Sequence, residues 1–135
     1  MDRRVFLLGA AALSGCGIGA KPLRAFSDRG LGEPLLRAAR GYDARTVLLV
    51  EGMGRRELLE EAEKAASVLV VTRESLIANR LQRFGHVRLE HRWTVDILGG
   101  PAAVLVTQGG FEQRRVLRFA KWLASDAAAP FLSAR

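Results

Sequence analysis

The sequence holds one cysteine, Cys16, in 135 residues, so no disulfide can form within the chain and its stability must come from a packed core. Zinc-finger spacing is missing. The two histidines, His86 and His91, stand five apart in an alternating stretch, which points them to opposite faces rather than at one metal ion. No Gly-x-Ser-x-Gly elbow occurs and neither histidine has a placed acid partner, so nucleophilic hydrolysis has no support. The chain is therefore not read as an enzyme, and no metal or cofactor is implied. No apolar run reaches the ~20 residues that a membrane-crossing helix needs. RNP-like aromatic motifs are also missing, and nucleic acid is not expected as a partner.

What is present begins with MDRRVFLLGAAALSGCG, in which two arginines precede a short apolar run that continues into small residues. Such a stretch reads as a targeting segment. Arg3-Arg4-Val5-Phe6-Leu7 resembles a twin-arginine export signal, and Leu13-Ser14-Gly15-Cys16 resembles a bacterial lipobox, where the signal is cut before the cysteine and the thiol takes a diacylglycerol. On this reading residues 1–15 are a signal peptide, 16–21 a lipidated tether and 22–135 a single domain, anchored through Cys16 on the periplasmic side of the cell membrane. The route, twin-arginine or general secretion, stays open. The other reading keeps the signal uncleaved, with Cys16 as a small buried hydrophobe.

Removing Arg3, Arg4 and Asp2 from 21 Lys+Arg and 14 Asp+Glu leaves 19 against 13, a charge of about +6. That excess suits an anionic ligand, an anionic membrane surface or a negatively charged partner, and it is also what any arginine-rich composition produces. A 49% hydrophobic content is enough for one ordinary core.

After residue 22 a period of two alternates with a period near 3.6. Leu23-Arg24-Ala25-Phe26 reads as a short strand; SDRGLGEPLLRAARG then supplies a turn, Pro34 in a helix's first turn and Gly41 as a stop. Thr46–Val50 is a β-branched run suited to a strand buried on both faces. The turn Glu51-Gly52-Met53-Gly54 leads to a helix with Leu58, Leu59, Ala62, Ala65 and Ala66 inward, and Val68–Val71 is a second buried strand. Thr72 or Ser75 is placed to cap a helix with Leu76, Ile77 and Leu81 inward, ending at Phe84-Gly85. Val87, Leu89, Trp93, Val95 and Ile97 alternate as one or two strands, Gly99-Gly100-Pro101 turns the chain, Ala102–Val106 is another strand, and Val116, Phe119, Ala120 and Leu123 face inward on a last helix. The order β-α-β-α-β-α-β-β-α predicts an α/β domain, three layers αβα with a mostly parallel sheet.

The segment VLLVEGMGRRELLEEAEKAASVLVVTRESLIANRL resembles the first lobe of periplasmic binding proteins of the molybdate and tungstate type, the type II class that serves ABC transporters. The ending VLRFAKWLASDAAAPFL is similar to that superfamily's last helix, with a second short helix after it. The resemblance implies oxyanion binding by helix N-terminal N–H groups and serine hydroxyls, which favour negative charge. It places the site at Ser27, Asp28, Arg29 and Gly30, at Gly52, Met53, Gly54 and Arg55, and at Thr72 and Arg73. Ser27 stands where the family's first anion-binding serine lies, although a plain helix cap is the simpler use for it. Gly52-Met53-Gly54 lacks the second serine, and Glu51 brings a carboxylate that would repel an oxyanion.

A two-lobe member closes on its ligand, and the second lobe would need on the order of 100 more residues. Here only Trp93–Gly100 stands where it would be inserted, so a single-lobe relative is expected. Two functions follow. One is a membrane-anchored solute-binding lobe taking a small anion or another small solute. The other is a degenerate lobe that serves an exported redox enzyme or an inner-membrane transporter as an interaction module, which exposed apolar surface in place of the missing lobe would favour. Completion of the cleft by another chain, or by a second copy, is a further reading.

Overall fold

The computed structural model describes the backbone of residues 4–7 and all of residues 21–133. The cleavage site, Cys16 and most of the tether expected from the sequence lie outside the described residues. In chain order the elements are β1 (Arg4–Leu7), β2 (Leu23–Asp28), α1 (Gly32–Tyr42), β3 (Leu48–Met53), α2 (Arg55–Lys64), β4 (Leu69–Thr72), α3 (Ser75–Arg83), β5 (Val87–Ile97), β6 (Gly100–Thr107), α4 (Gln113–Leu123) and α5 (Ala129–Ser133). No described helix is long and apolar enough to cross a membrane.

The strands between 23 and 107 form one sheet in the order β3-β2-β4-β6-β5, and β1 adds an antiparallel strand outside β3. β3, β2 and β4 run parallel to one another. β6 is antiparallel to both of its neighbours, β4 and β5, so the expected parallel sheet is interrupted by one reversed strand. The reversal follows from the connection: Leu98 and Gly99 both have positive φ, 52° and 82°, which is the backbone of a two-residue hairpin, so β6 must return alongside β5.

Why the sheet carries helices on both faces is visible in β4, where Leu69 and Val71 join one cluster and Val70 the other. The first cluster gathers Leu35, Ala38 and Ala39 of α1, Val116, Phe119, Ala120 and Leu123 of α4, and Leu132 of α5. The second gathers Leu58 and Ala62 of α2 with Ile77, Ala78 and Leu81 of α3, against Phe26, Met53, Val70 and Leu105. This is the three-layer αβα arrangement, with every strand of the centre apolar on both sides as parallel sheets require.

Two local expectations are corrected. Gly41 does not stop α1, which runs on to Tyr42; instead the Phe131 ring lies so close that a Cβ at residue 41 would fall 2.3 Å from its Cζ. The absent side chain lets α5 seat on α1. Leu89 is 70% exposed rather than inward, because the β5–β6 register shifts between Val87 and Arg92 and the alternation is lost there. Gly85 ends α3 as expected, at φ 79°. Trp122 is packing: it stacks with Phe119 and meets Tyr42 and Phe131.

Candidate functional site

Parallel strands that share a register bring their carboxyl ends to one edge, and that alone assembles most of the residues singled out above. Ser27 pairs across from Gly52 on one side and Val71 on the other, and Asp28 is opposite Met53. The turns after β2, β3 and β4 therefore meet at the same edge. After β2 the chain crosses to the face carrying α1, whereas after β3 and β4 it crosses to the face carrying α2 and α3. β2 is thus the switch strand, and in open α/β sheets the crevice beside such a strand is where ligands sit.

Two donors at this edge are engaged by a side chain of the protein, and an open cleft of about 630 Å³ lies beside it, lined by Arg29, Gly54, Arg55, Arg56, Glu57 and Glu60. The Thr72 hydroxyl donates to Asp28 Oδ1 at 2.8 Å, and the Arg73 backbone N–H donates to Asp28 Oδ2 at 2.6 Å. Thr72 Oγ1 in turn accepts the Glu74 N–H at 3.0 Å, just ahead of α3. The carboxylate engages both donors, and charge-assisted bonds of this length are the strong kind. Thr72 and not Ser75 is the residue that serves the start of α3, although it bonds one residue before the helix.

Ser27 is fully buried, and its hydroxyl donates to the Asp28 carbonyl at 3.0 Å. It caps no helix: the residue before α1 is Leu31, with no side-chain cap bond. The Asp28 carbonyl also accepts the Leu31 N–H, closing a tight turn in which Gly30 has φ 93°, a conformation glycine adopts without strain. Met53 is buried in the second cluster and supplies packing.

Arg29 is exposed and lies across the turn after β3. A Cβ at Gly52 would be 3.7 Å from Arg29 Cα, and one at Gly54 would be 3.8 Å from its guanidinium. Arg55 opens α2 and is exposed. Arg73 turns the other way: its guanidinium donates to the Ile97 carbonyl at 2.7 Å and the Pro101 carbonyl at 3.2 Å, tacking the β5–β6 hairpin to the same edge. Glu51 pairs with Arg24 at 3.7 Å, further back along the sheet, so the carboxylate that dominates the crevice is Asp28 and not Glu51.

An apolar groove adjoins the crevice between α2 and α3. It encloses about 380 Å³, is floored by Leu59, Leu76 and Ile77, and is edged by Arg55, Arg56 and Arg80. Leu76 is 64% exposed there. The sequence pattern predicts Leu76 inward, whereas the buried face of α3 is Ile77, Ala78 and Leu81, which leaves Leu76 outside it. Among the described residues no group of three or more His, Cys, Asp or Glu is arranged to hold a metal ion.

The bond network gives a direct expectation for Thr72→Val. The substitution keeps the shape but leaves Asp28 Oδ1 and the Glu74 N–H, both partly buried, without their partner, at about 0.5–1.5 kcal/mol. Urea unfolding should show a lower midpoint at unchanged slope. An unaltered midpoint would mean that the Thr72–Asp28 bond contributes nothing.

Compared with known proteins, the chain matches no family model, no curated protein and no solved structure.

Proposed function

We propose that this chain is a single lobe of the periplasmic-binding-protein type, exported and held at the cell membrane through Cys16. In this reading it acts as an interaction module for an exported enzyme or an inner-membrane transporter rather than as an oxyanion receptor. The observation that carries the second half is the Asp28 carboxylate, which accepts from Thr72 and Arg73 at the switch strand, where an anion would otherwise bind. A bound oxyanion would have to displace a negative charge already satisfied by these donors.

Two further features support the reading. The β5–β6 hairpin closes in two residues where a two-lobe relative would carry its second lobe, and Arg73 ties the hairpin down. Beside it the groove of Leu59, Leu76 and Ile77 leaves apolar surface uncovered, with arginines on its rim, which suits a partner segment that places an apolar side chain between acidic ones.

The test is thermal unfolding of the protein against molybdate, tungstate, sulfate, phosphate and small carboxylates at fixed ionic strength. Ligand at 100 times its dissociation constant would add about 2.7 kcal/mol, a rise of roughly 10 °C for a domain of this size. The expected result is no rise with any of them. A selective rise would restore the solute-binding lobe as the better reading.

A further inference from the structure

The opposite edge of the sheet has a different character. The chain joins the described fold at Lys21, whose carbonyl accepts a hydrogen bond from the Arg115 guanidinium at 2.7 Å, so the N-terminal segment leaves from beside the first turn of α4. That turn also carries Arg114, and Arg118 follows on the next; both are exposed. Two open clefts flank it. One, of about 380 Å³, is lined by Arg45, Arg115 and Arg118, and the other, of about 580 Å³, by Arg88 and Arg114.

Between β6 and α4 the chain passes through Gly109, Gly110 and Phe111. This loop is pinned: the Gln108 N–H donates to the His86 carbonyl at 2.9 Å, its side-chain amide to the Gly85 carbonyl at 2.6 Å, and the Ser67 hydroxyl to the Gly109 carbonyl. Phe111 nonetheless projects fully into solvent, the most exposed large apolar side chain among the described residues. A loop held on its body by three bonds that still presents an aromatic ring to water is shaped to place that ring in something else.

We propose that this edge is a bilayer-contacting surface that seats on anionic phospholipid, with Phe111 reaching the interface and Arg45, Arg88, Arg114 and Arg118 facing the headgroups. It deepens the membrane-anchored reading above and rests on it. Three observations converge on lipid as the occupant. Cys16 is five residues from Lys21, a reach of at most roughly 17 Å, so an anchored chain must keep this edge near the membrane. The exposed charge there is mainly basic, with Asp43, Glu63, Glu90 and Glu112 as the acidic groups; Glu112 is held by Arg115, Asp43 accepts the Arg45 N–H, Glu90 pairs with Arg88 at 3.9 Å and Glu63 with Arg80 at 3.7 Å. An apolar ring with basic side chains around it is a composition that seats on anionic membrane surfaces. An acyl chain alone attaches a protein and leaves its orientation free; this edge fixes the orientation, so that the Asp28 edge and its groove point away from the bilayer towards a partner.

The experiment uses the full chain as Cys16→Ala, which removes acylation, in flotation with phosphatidylcholine vesicles with and without phosphatidylglycerol. Binding is expected only with phosphatidylglycerol and should fall as salt rises. Arg114→Gln with Arg118→Gln should weaken it by about twenty-five-fold, at about five-fold for each arginine near an anionic surface. Lys121→Gln, exposed in the last turn of α4 at the opposite end from Arg114, should leave it unchanged. Phe111→Trp should gain quenching by brominated acyl chains. Equal flotation with neutral vesicles, or undiminished flotation of the Arg114/Arg118 variant without quenching of Trp fluorescence at position 111, would assign any binding to the apolar N-terminal segment and overturn the proposal. No flotation at all would also overturn it and leave an acidic protein surface as the occupant. Neither failure touches the anion titration, and mass spectrometry of the protein from its host reads acylation of Cys16 separately.

Discussion

Asp28→Ala is expected to lower the unfolding free energy by about 2–4 kcal/mol. The carboxylate accepts from the Thr72 hydroxyl and from the Arg73 N–H, and it holds the turn after β4 against the turn after β2 across 44 and 45 residues of sequence. Hydrogen bonds to a charged group contribute ~1.5–3 kcal/mol each, and a buried donor left unpaired costs ~1–3 kcal/mol more. Water reaches part of this edge and offsets some of the loss, because Arg73 is exposed. Asp28→Asn should fall in between: its amide oxygen still accepts from Arg73 and its NH₂ can donate to Thr72 Oγ1, but the charge is gone and Thr72 no longer has an acceptor for its own proton. The check is urea unfolding of the three proteins. A loss for alanine below the uncertainty of such extrapolations would remove Asp28 from the account of the crevice.

The largest loss is expected at Phe119→Ala, about 3–5 kcal/mol. Phe119 is fully buried at the centre of the α1–α4–α5 layer. Its ring meets Tyr42 edge-on at 5.2 Å between centroids and stacks with Trp122 at 6.3 Å. Truncation loses the buried area and both ring contacts, and it opens a cavity that neighbouring side chains can fill only in part. Domains of this size have ~5–15 kcal/mol in total, and without a disulfide within the chain there is no cross-link to limit the damage. The variant should unfold at much lower urea and much lower temperature. A midpoint close to that of the parent would mean that this layer is not the main core.

How far the residues spoke for themselves varies by element. Val47–Val50 and Val68–Val71 are β-branched apolar runs too short for helices and bounded by turns, so β3 and β4 could be placed from local pattern alone. The same holds for α4, where Val116, Phe119, Ala120 and Leu123 share a face. Gly99-Gly100-Pro101 marks a turn between the two strands, but alternation does not say which way β6 runs; the positive φ at Leu98, an unusual position for a leucine, and at Gly99 shows that the turn is a tight hairpin. Likewise the bulge before Arg92 shifted Leu89 outward with no composition signal to mark it.

The carboxyl ends of β2, β3 and β4 lie together because parallel strands share a register, although Glu51, Gly52 and Met53, read from the sequence as a turn, are the last residues of β3. What the residues did not disclose was which carboxylate faces the crevice. Glu51 drew attention as a neighbour of Gly52, whereas it pairs with Arg24; Asp28 takes the donors because its short side chain is at the end of the switch strand, beside the turn that starts α3. A pair such as Asp28 and Thr72, each at the end of a predicted parallel strand, is the signal that was available. Its meaning depends on strand order, and no local pattern supplies that.

The most direct measurement is calorimetric titration of molybdate and sulfate into the wild-type protein and into Asp28→Ala, at the same ionic strength and at a temperature where both are folded. The account predicts no binding to the wild type and measurable binding to the variant, whose Thr72 hydroxyl and Arg73 N–H are released to an anion at the start of α3. Binding to the wild type that is weakened or abolished in Asp28→Ala would contradict it, because Asp28 would then be part of a working site rather than the group that closes it.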